Sequence, residues 1–163
     1  MTSPFSGIFA RHDEAKRAAA AAEEAKVAES QSAEADFISA FQMAINLNAM
    51  PLFEQFVADA KANGYAAKIE RVDGEDNAYC DVRFIPVPGI DFGPASATAE
   101  SVFRIKGLFR TQKVEHTSFY DQRPTKTGAG TKRSTFAIQS VKEATIQRGL
   151  EEFLKDALES RSQ

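Results

Sequence analysis

Apolar side chains change their spacing along this chain, and each change marks an element. From Glu34 onward, Phe37, Ile38, Phe41, Ala44 and Ile45 recur at helical intervals, so one face is apolar. Asn46, Asn48 and Pro51 interrupt the pattern. Leu52, Phe53, Phe56, Val57 and Ala60 then resume it as far as Asn63-Gly64. A glycine after the last periodic residue is a helix stop, because it enters the left-handed conformation without a Cβ clash. Pro51 suits the first turn of a helix, where its missing N–H costs nothing. The spacing therefore predicts two helices, or one helix kinked near 48–51.

The period then falls to two. Tyr65, Ala67 and Ile69 alternate with polar neighbours, and Cys80, Val82 and Phe84 alternate with Tyr79, Asp81 and Arg83. Between them Asp73-Gly74-Glu75-Asp76-Asn77 has turn composition, which predicts a hairpin with a five-residue loop. Residues 86–97 carry three Pro and two Gly and read as an irregular connection, with Ile90 and Phe92 pinning it to the core. A further strand places Phe103, Ile105 and Phe109 inward, with Arg104, Lys106 and Arg110 outward; Gly107 suggests a bulge or a close approach. The next strand sets Val114, His116, Ser118 and Tyr120 on one face and Glu115, Thr117 and Phe119 on the other. A basic loop at 122–133 leads to a last strand, Ser134 to Val141, with Phe136 and Ile138 inward. Ser140-x-x-Glu143 reads as a capping box for a final helix with Ile146, Leu150, Phe153, Leu154, Ala157 and Leu158 on its apolar face.

Ahead of all this, residues 11–35 are rich in Ala and Glu, good helix formers, yet Val27 is their only large apolar residue. A helix without an apolar stripe has little to dock with. The segment reads as a solvated helix or linker, or as an Ala-faced helix that pairs with a second copy. Phe5, Ile8 and Phe9 would anchor such a contact or dock back on the domain, and Ser30-Gln31-Ser32 looks like the boundary. The division is a helical arm over 1–33 and a single domain over 34–163. The fold class is α+β: about five antiparallel strands in a meander, with helices packed on one face.

Composition sharpens this in two ways. Thirteen Phe and no Trp point to a core built on phenylalanine. The net charge of −3 conceals an asymmetry: residues 1–100 carry 8 basic and 16 acidic side chains, whereas 101–140 carry 8 and 2. The cations are Arg104, Lys106, Arg110, Lys113, Arg123, Lys126, Lys132 and Arg133. In a meander they would form a stripe along the sheet, able to track an acidic partner or a phosphate backbone.

Little else carries chemistry. Thr127-Gly128-Ala129-Gly130-Thr131-Lys132 departs from the P-loop pattern and runs into a strand rather than a helix. His12 and His116 have no companions at metal-ligand spacing, and no cofactor motif is present. The carboxylates at Asp73, Glu75 and Asp76 lack the remaining ligands of a calcium loop. The single cysteine, Cys80, forms no intrachain disulfide and alternates with Val82 and Phe84 as a buried residue would. There is no secretory signal pattern and no long apolar run, which points to a cytoplasmic protein without membrane contact. The first functional reading is a non-enzymatic binding or assembly protein, self-associating or holding a protein partner through its sheet face or its arm. The alternatives are an anion- or nucleic-acid-binding module using the basic stripe, and a small enzyme with a sheet–helix pocket near His116.

Overall fold

The computed structural model describes residues 3–96, 99–120 and 131–162. It divides into two units, residues 1–36 and 37–163. The first helix, α1 (Ser6–Ala44), contributes to both. Its Ala, Glu and Lys content favours helix throughout. Ser30-Gln31-Ser32 does not break the helix as expected: these residues cost only tenths of a kcal/mol each in a helix, and neither Pro nor Gly stands there. Every described residue from Ser3 to Ser32 is exposed.

The second unit is built on Phe37 and Phe41, the two buried residues of α1. The chain neither stops nor starts afresh near Pro51. A π-helical turn, Ile45–Ala49, carries it into α2 (Met50–Ala62). The wider turn takes in one extra residue, with the Met50 N–H donating to the Ile45 carbonyl. Pro51, near the start of α2, lacks an N–H in any case. Asn48, within the turn, donates from its side chain to the Val141 carbonyl at 2.8 Å. At the far end Gly64 takes a φ of +86°, and the Tyr65 N–H closes back on Ala60 O at 2.9 Å, as the Asn63-Gly64 stop predicts.

Five strands follow in a meander: β1 (Ala67–Asp73), β2 (Asn77–Phe84), β3 (Ser101–Leu108), β4 (Lys113–Phe119) and β5 (Thr131–Phe136). They lie in the order β1-β2-β3-β4-β5, all antiparallel. The α+β meander with helices on one face is the fold that periodicity predicts. The β1–β2 loop is shorter than expected, Gly74 to Asp76, because Asp73 already pairs with Ala78. The inner face carries Val82, Phe84, Phe103, Ile105 and Val114, all buried against the helices. Phe53, Phe84, Phe103 and Phe153 form linked ring contacts at its centre. Cys80 is buried there too, 3.6 Å from the Met50 sulfur, and burial pushes its thiol up to about 12, so it stays protonated and inert.

Three local expectations need correction. The last strand runs from Thr131 to Phe136 rather than from Ser134 to Val141; Ile138–Ser140 is a 3₁₀ turn leading to α3 (Glu143–Ser162). Ser140 does not close a capping box, because it belongs to the 3₁₀ turn and α3 starts at Glu143, with the Ile146 N–H donating to Lys142 O; the Ser140 hydroxyl meets His116 Nε2 at 2.9 Å instead. Ile90 is 42% exposed and Phe92 half-buried, so the connection is pinned instead by Ile85, Pro86 and Ser96.

Gly107 marks a close approach and not a bulge. It pairs regularly with Ala78 and Val114. A Cβ there would lie 3.0 Å from two ring carbons of Phe41. Neither ring atom is the end of a flexible chain, so Gly107→Ala should destabilise the protein by about 1–3 kcal/mol through overpacking. Gly93→Ala, which meets open space, should stay within about 0.5 kcal/mol. Urea midpoints followed by circular dichroism would separate the two. Equal midpoints would show that Phe41 does not constrain β3.

Candidate functional site

The two faces of the sheet offer different chemistry. On the outer face Asp81, in the middle of β2, has no exposed surface. Its register opposite Arg104 makes the contact unavoidable. Arg104 donates from Nε to Asp81 Oδ1 at 2.8 Å and from Nη2 to Oδ2 at 2.9 Å, a bidentate fork. The guanidinium is also flanked by the rings of Tyr79 and Phe119, with centroids at 4.0 and 5.7 Å. The hydrogen bond to Asp81 raises the Arg104 pKa above its ordinary value in spite of burial. Arg83 adds a 3.4 Å contact to Asp81 and donates to Glu100 at 2.7 Å. Its Nε lies 2.6 Å from Glu70 Oε2 but is not aligned for a hydrogen bond. Two arginines thus meet three carboxylates, and this cluster balances its own charge.

This changes the meaning of the basic stripe. Arg104 is bound to Asp81, and Arg133 lies 3.4 Å from Glu115. Arg110 lies 3.4 Å from Asp76. Lys132 is on the opposite, helix-facing side of the sheet, where it meets Asp156 at 2.7 Å. Lys106 is half-buried on the outer face and Lys113 is exposed beside the turn. Arg123 and Lys126 lie outside the described residues. The described cations are therefore divided between two faces, and four of the six are compensated. Alternation along β3 made Arg104 legible as outward-facing. Its partner Asp81 was legible only as one more outward polar residue, because the burial of that carboxylate follows from the register of neighbouring strands.

On the inner face, β4, β5 and α3 enclose a cleft of about 370 Å³. His116, Ser118, Ser134 and Phe136 line its sheet side; Thr145, Arg148 and Glu152 line its helix side. The floor is the ring of Phe103, approached closely because Gly149 of α3 has no side chain: a Cβ there would sit 3.1 Å from that ring. Tyr120 closes one end, stacked on Phe153 and hydrogen-bonded to Asp156 at 3.2 Å. Phe136 faces this cleft and is 43% exposed, rather than buried as its alternation predicts. His116 meets its ring edge-on at 5.2 Å. Burial pushes the imidazole down to about 4, so it is neutral near pH 7. His116 therefore lies in a sheet–helix pocket with Tyr120, while its Nε2 is taken by Ser140.

The arm unit is simpler. Phe5, Ile8 and Phe9 are 65, 63 and 69% exposed, and their spacing puts them on one side. Among the described residues no helix is long and apolar enough to cross a membrane, and no group of three His, Cys, Asp or Glu could hold a metal ion.

Two outcomes test this electrostatic layout. Asp81→Asn leaves Arg104 and Arg83 without their shared buried anion, and should cost about 3–5 kcal/mol in a urea titration; a loss below about 1 kcal/mol would mean the fork carries no weight. His116 has a folded pKa below its ordinary 6.5. The unfolded chain then binds the proton first, so stability is full above pH 6.5 and is lost as the pH falls toward about 4. His116→Gln should remove up to about 3 kcal/mol of that acid sensitivity. Parallel stability curves for the two proteins would contradict a buried neutral histidine.

Compared with protein-family models, curated proteins and solved structures, the chain matches none of them.

Proposed function

We propose that this chain is a non-enzymatic assembly protein that self-associates through its arm, pairing it antiparallel with the arm of a second copy. The observation that carries the reading is a long helix exposed from Ser6 to Ser32, with an exposed apolar cluster at Phe5, Ile8 and Phe9. Helices in proteins draw most of their stability from packing, and a partner helix would supply the contacts that this stretch lacks.

The charge pattern supports the antiparallel sense. Residues 11–17 hold three basic and two acidic side chains, whereas 23–36 hold five acidic and one basic. Antiparallel pairing sets the basic part of one arm beside the acidic part of the other; parallel pairing stacks like on like. Ala15, Ala18, Ala22 and Ala25 fall on one face at coiled-coil spacing, which lets two backbones approach closely.

Magnitudes suggest a concentration-dependent dimer. Burying six large apolar side chains, three from each arm, contributes about 9–18 kcal/mol. Association costs about 4–15 kcal/mol in lost freedom, so the surplus is modest. The outer sheet face, whose arginines are largely neutralised by its own carboxylates, has less to offer a phosphate backbone.

Light scattering at increasing concentration should show a monomer becoming a dimer. Replacing Phe5, Ile8 and Phe9 together by Ser should abolish the dimer, and reversing Arg11, Lys16 and Arg17 to Glu should weaken it about tenfold or more. A mass that stays monomeric for the unaltered chain at every concentration would end this reading.

A further inference from the structure

The cleft between β5 and α3 is independent of the arm, and its charges have an order. Lys132 and Asp156 satisfy one another at its edge. Arg148 and Glu152 also line it, one helical turn apart on α3, yet neither has an ion pair among the described residues. Their order along the helix, cation before anion, is the less favourable one for bridging. The helix side of the cleft thus holds a cation and an anion one turn apart, neither of them in an ion pair among the described residues. The sheet side adds one charge, Lys132, which Asp156 holds at 2.7 Å and whose charged form Glu152 also favours; His116 is neutral, and Ser118 and Ser134 offer only hydroxyls. The rings of Phe103 and Phe136 supply an apolar surface between them.

We infer that this cleft binds a small zwitterion with an apolar body, of the α-amino-acid class, with its carboxylate on Arg148 and its ammonium on Glu152. An α-amino acid carries both charges on one carbon, which suits two opposite groups separated by one turn of helix, about 5–6 Å between Cβ atoms. Its side chain would lie over Phe103 and Phe136, and hydroxyls at Ser118, Ser134 and Thr145 give the polar contacts that fix orientation. The volume, about 370 Å³, falls within the range of small-molecule sites and accommodates a ligand of this size. A simple anion would leave Glu152 without an ion pair beside it, and a simple cation would leave Arg148 without one, so the two together favour a ligand that carries both charges.

Three probes distinguish these cases: L-phenylalanine, 3-phenylpropanoate and phenethylamine, each titrated into the full ¹⁵N-labelled chain and followed by amide shifts. L-Phenylalanine should give saturable shifts at His116, Ser118, Ser134 and Thr145, and should bind more tightly than either analogue. Arg148→Gln should weaken L-phenylalanine and 3-phenylpropanoate about tenfold and spare phenethylamine. Glu152→Gln should weaken L-phenylalanine and phenethylamine about tenfold and spare 3-phenylpropanoate. Both positions are exposed, so neither change threatens the fold. Absence of saturable shifts in the cleft with all three probes would overturn the inference. So would equal affinity for L-phenylalanine and 3-phenylpropanoate, or binding that ignores both substitutions.

Discussion

A carboxylate removed from water must be neutralised where it stands, and Asp81 imposes that condition on the middle of the sheet. Helices bury only the inner face, yet Asp81 on the outer face is without exposed surface. It is covered by its own neutralising partners, Arg104 and Arg83, and by the aromatic rings that hold Arg104 flat. The outer face is therefore a second, polar layer of structure. Its arginines maintain the sheet before they can serve any partner, and this decides how the positive charge of residues 101–140 should be understood. Among the described residues, four of the six cations that run together in sequence are held in local pairs in space.

Much of the architecture was legible because it rests on periodicity. Phe37 and Phe41, Phe103 and Ile105, and Ile146 and Phe153 repeat at the intervals of the elements they occupy, and each is buried. What escaped the sequence depends on contacts between distant segments. Gly107 could signal a bulge or a close approach, and only the ring of Phe41 from another element decides between them. Phe136 keeps inward alternation but belongs to a strand that the final helix leaves uncovered, so its ring faces a cleft. Ser140 stands at capping spacing, yet a 3₁₀ turn delays the helix to Glu143 and leaves its hydroxyl to His116 of β4. The cleft itself joins residues from β3, β4, β5 and α3 that no local motif connects.

The two units also differ in how their order is maintained. In the sheet unit, among the described residues, buried phenylalanines and paired charges leave two buried side-chain atoms, Arg83 Nε and Ser101 Oγ, without a hydrogen bond. In the arm, backbone hydrogen bonds and favourable propensities act with almost no side-chain burial. A helix of that kind leaves its side chains available to a partner, and that availability is the physical ground on which an assembly role is proposed for it.

The π turn at Ile45–Ala49 has a consequence for phase. Phe41 and Phe53 both face the sheet core, yet twelve residues of ideal α-helix would rotate one about 120° from the other. Absorbing a single extra residue in the wide turn reduces the effective count to eleven, which returns the two rings to within about 20°. The irregular turn acts as a one-residue spacer that brings two helical stretches into step. Deleting a residue from 45–49 would leave the helix unbroken, because a plain α-helical turn would then do the work of the wide one.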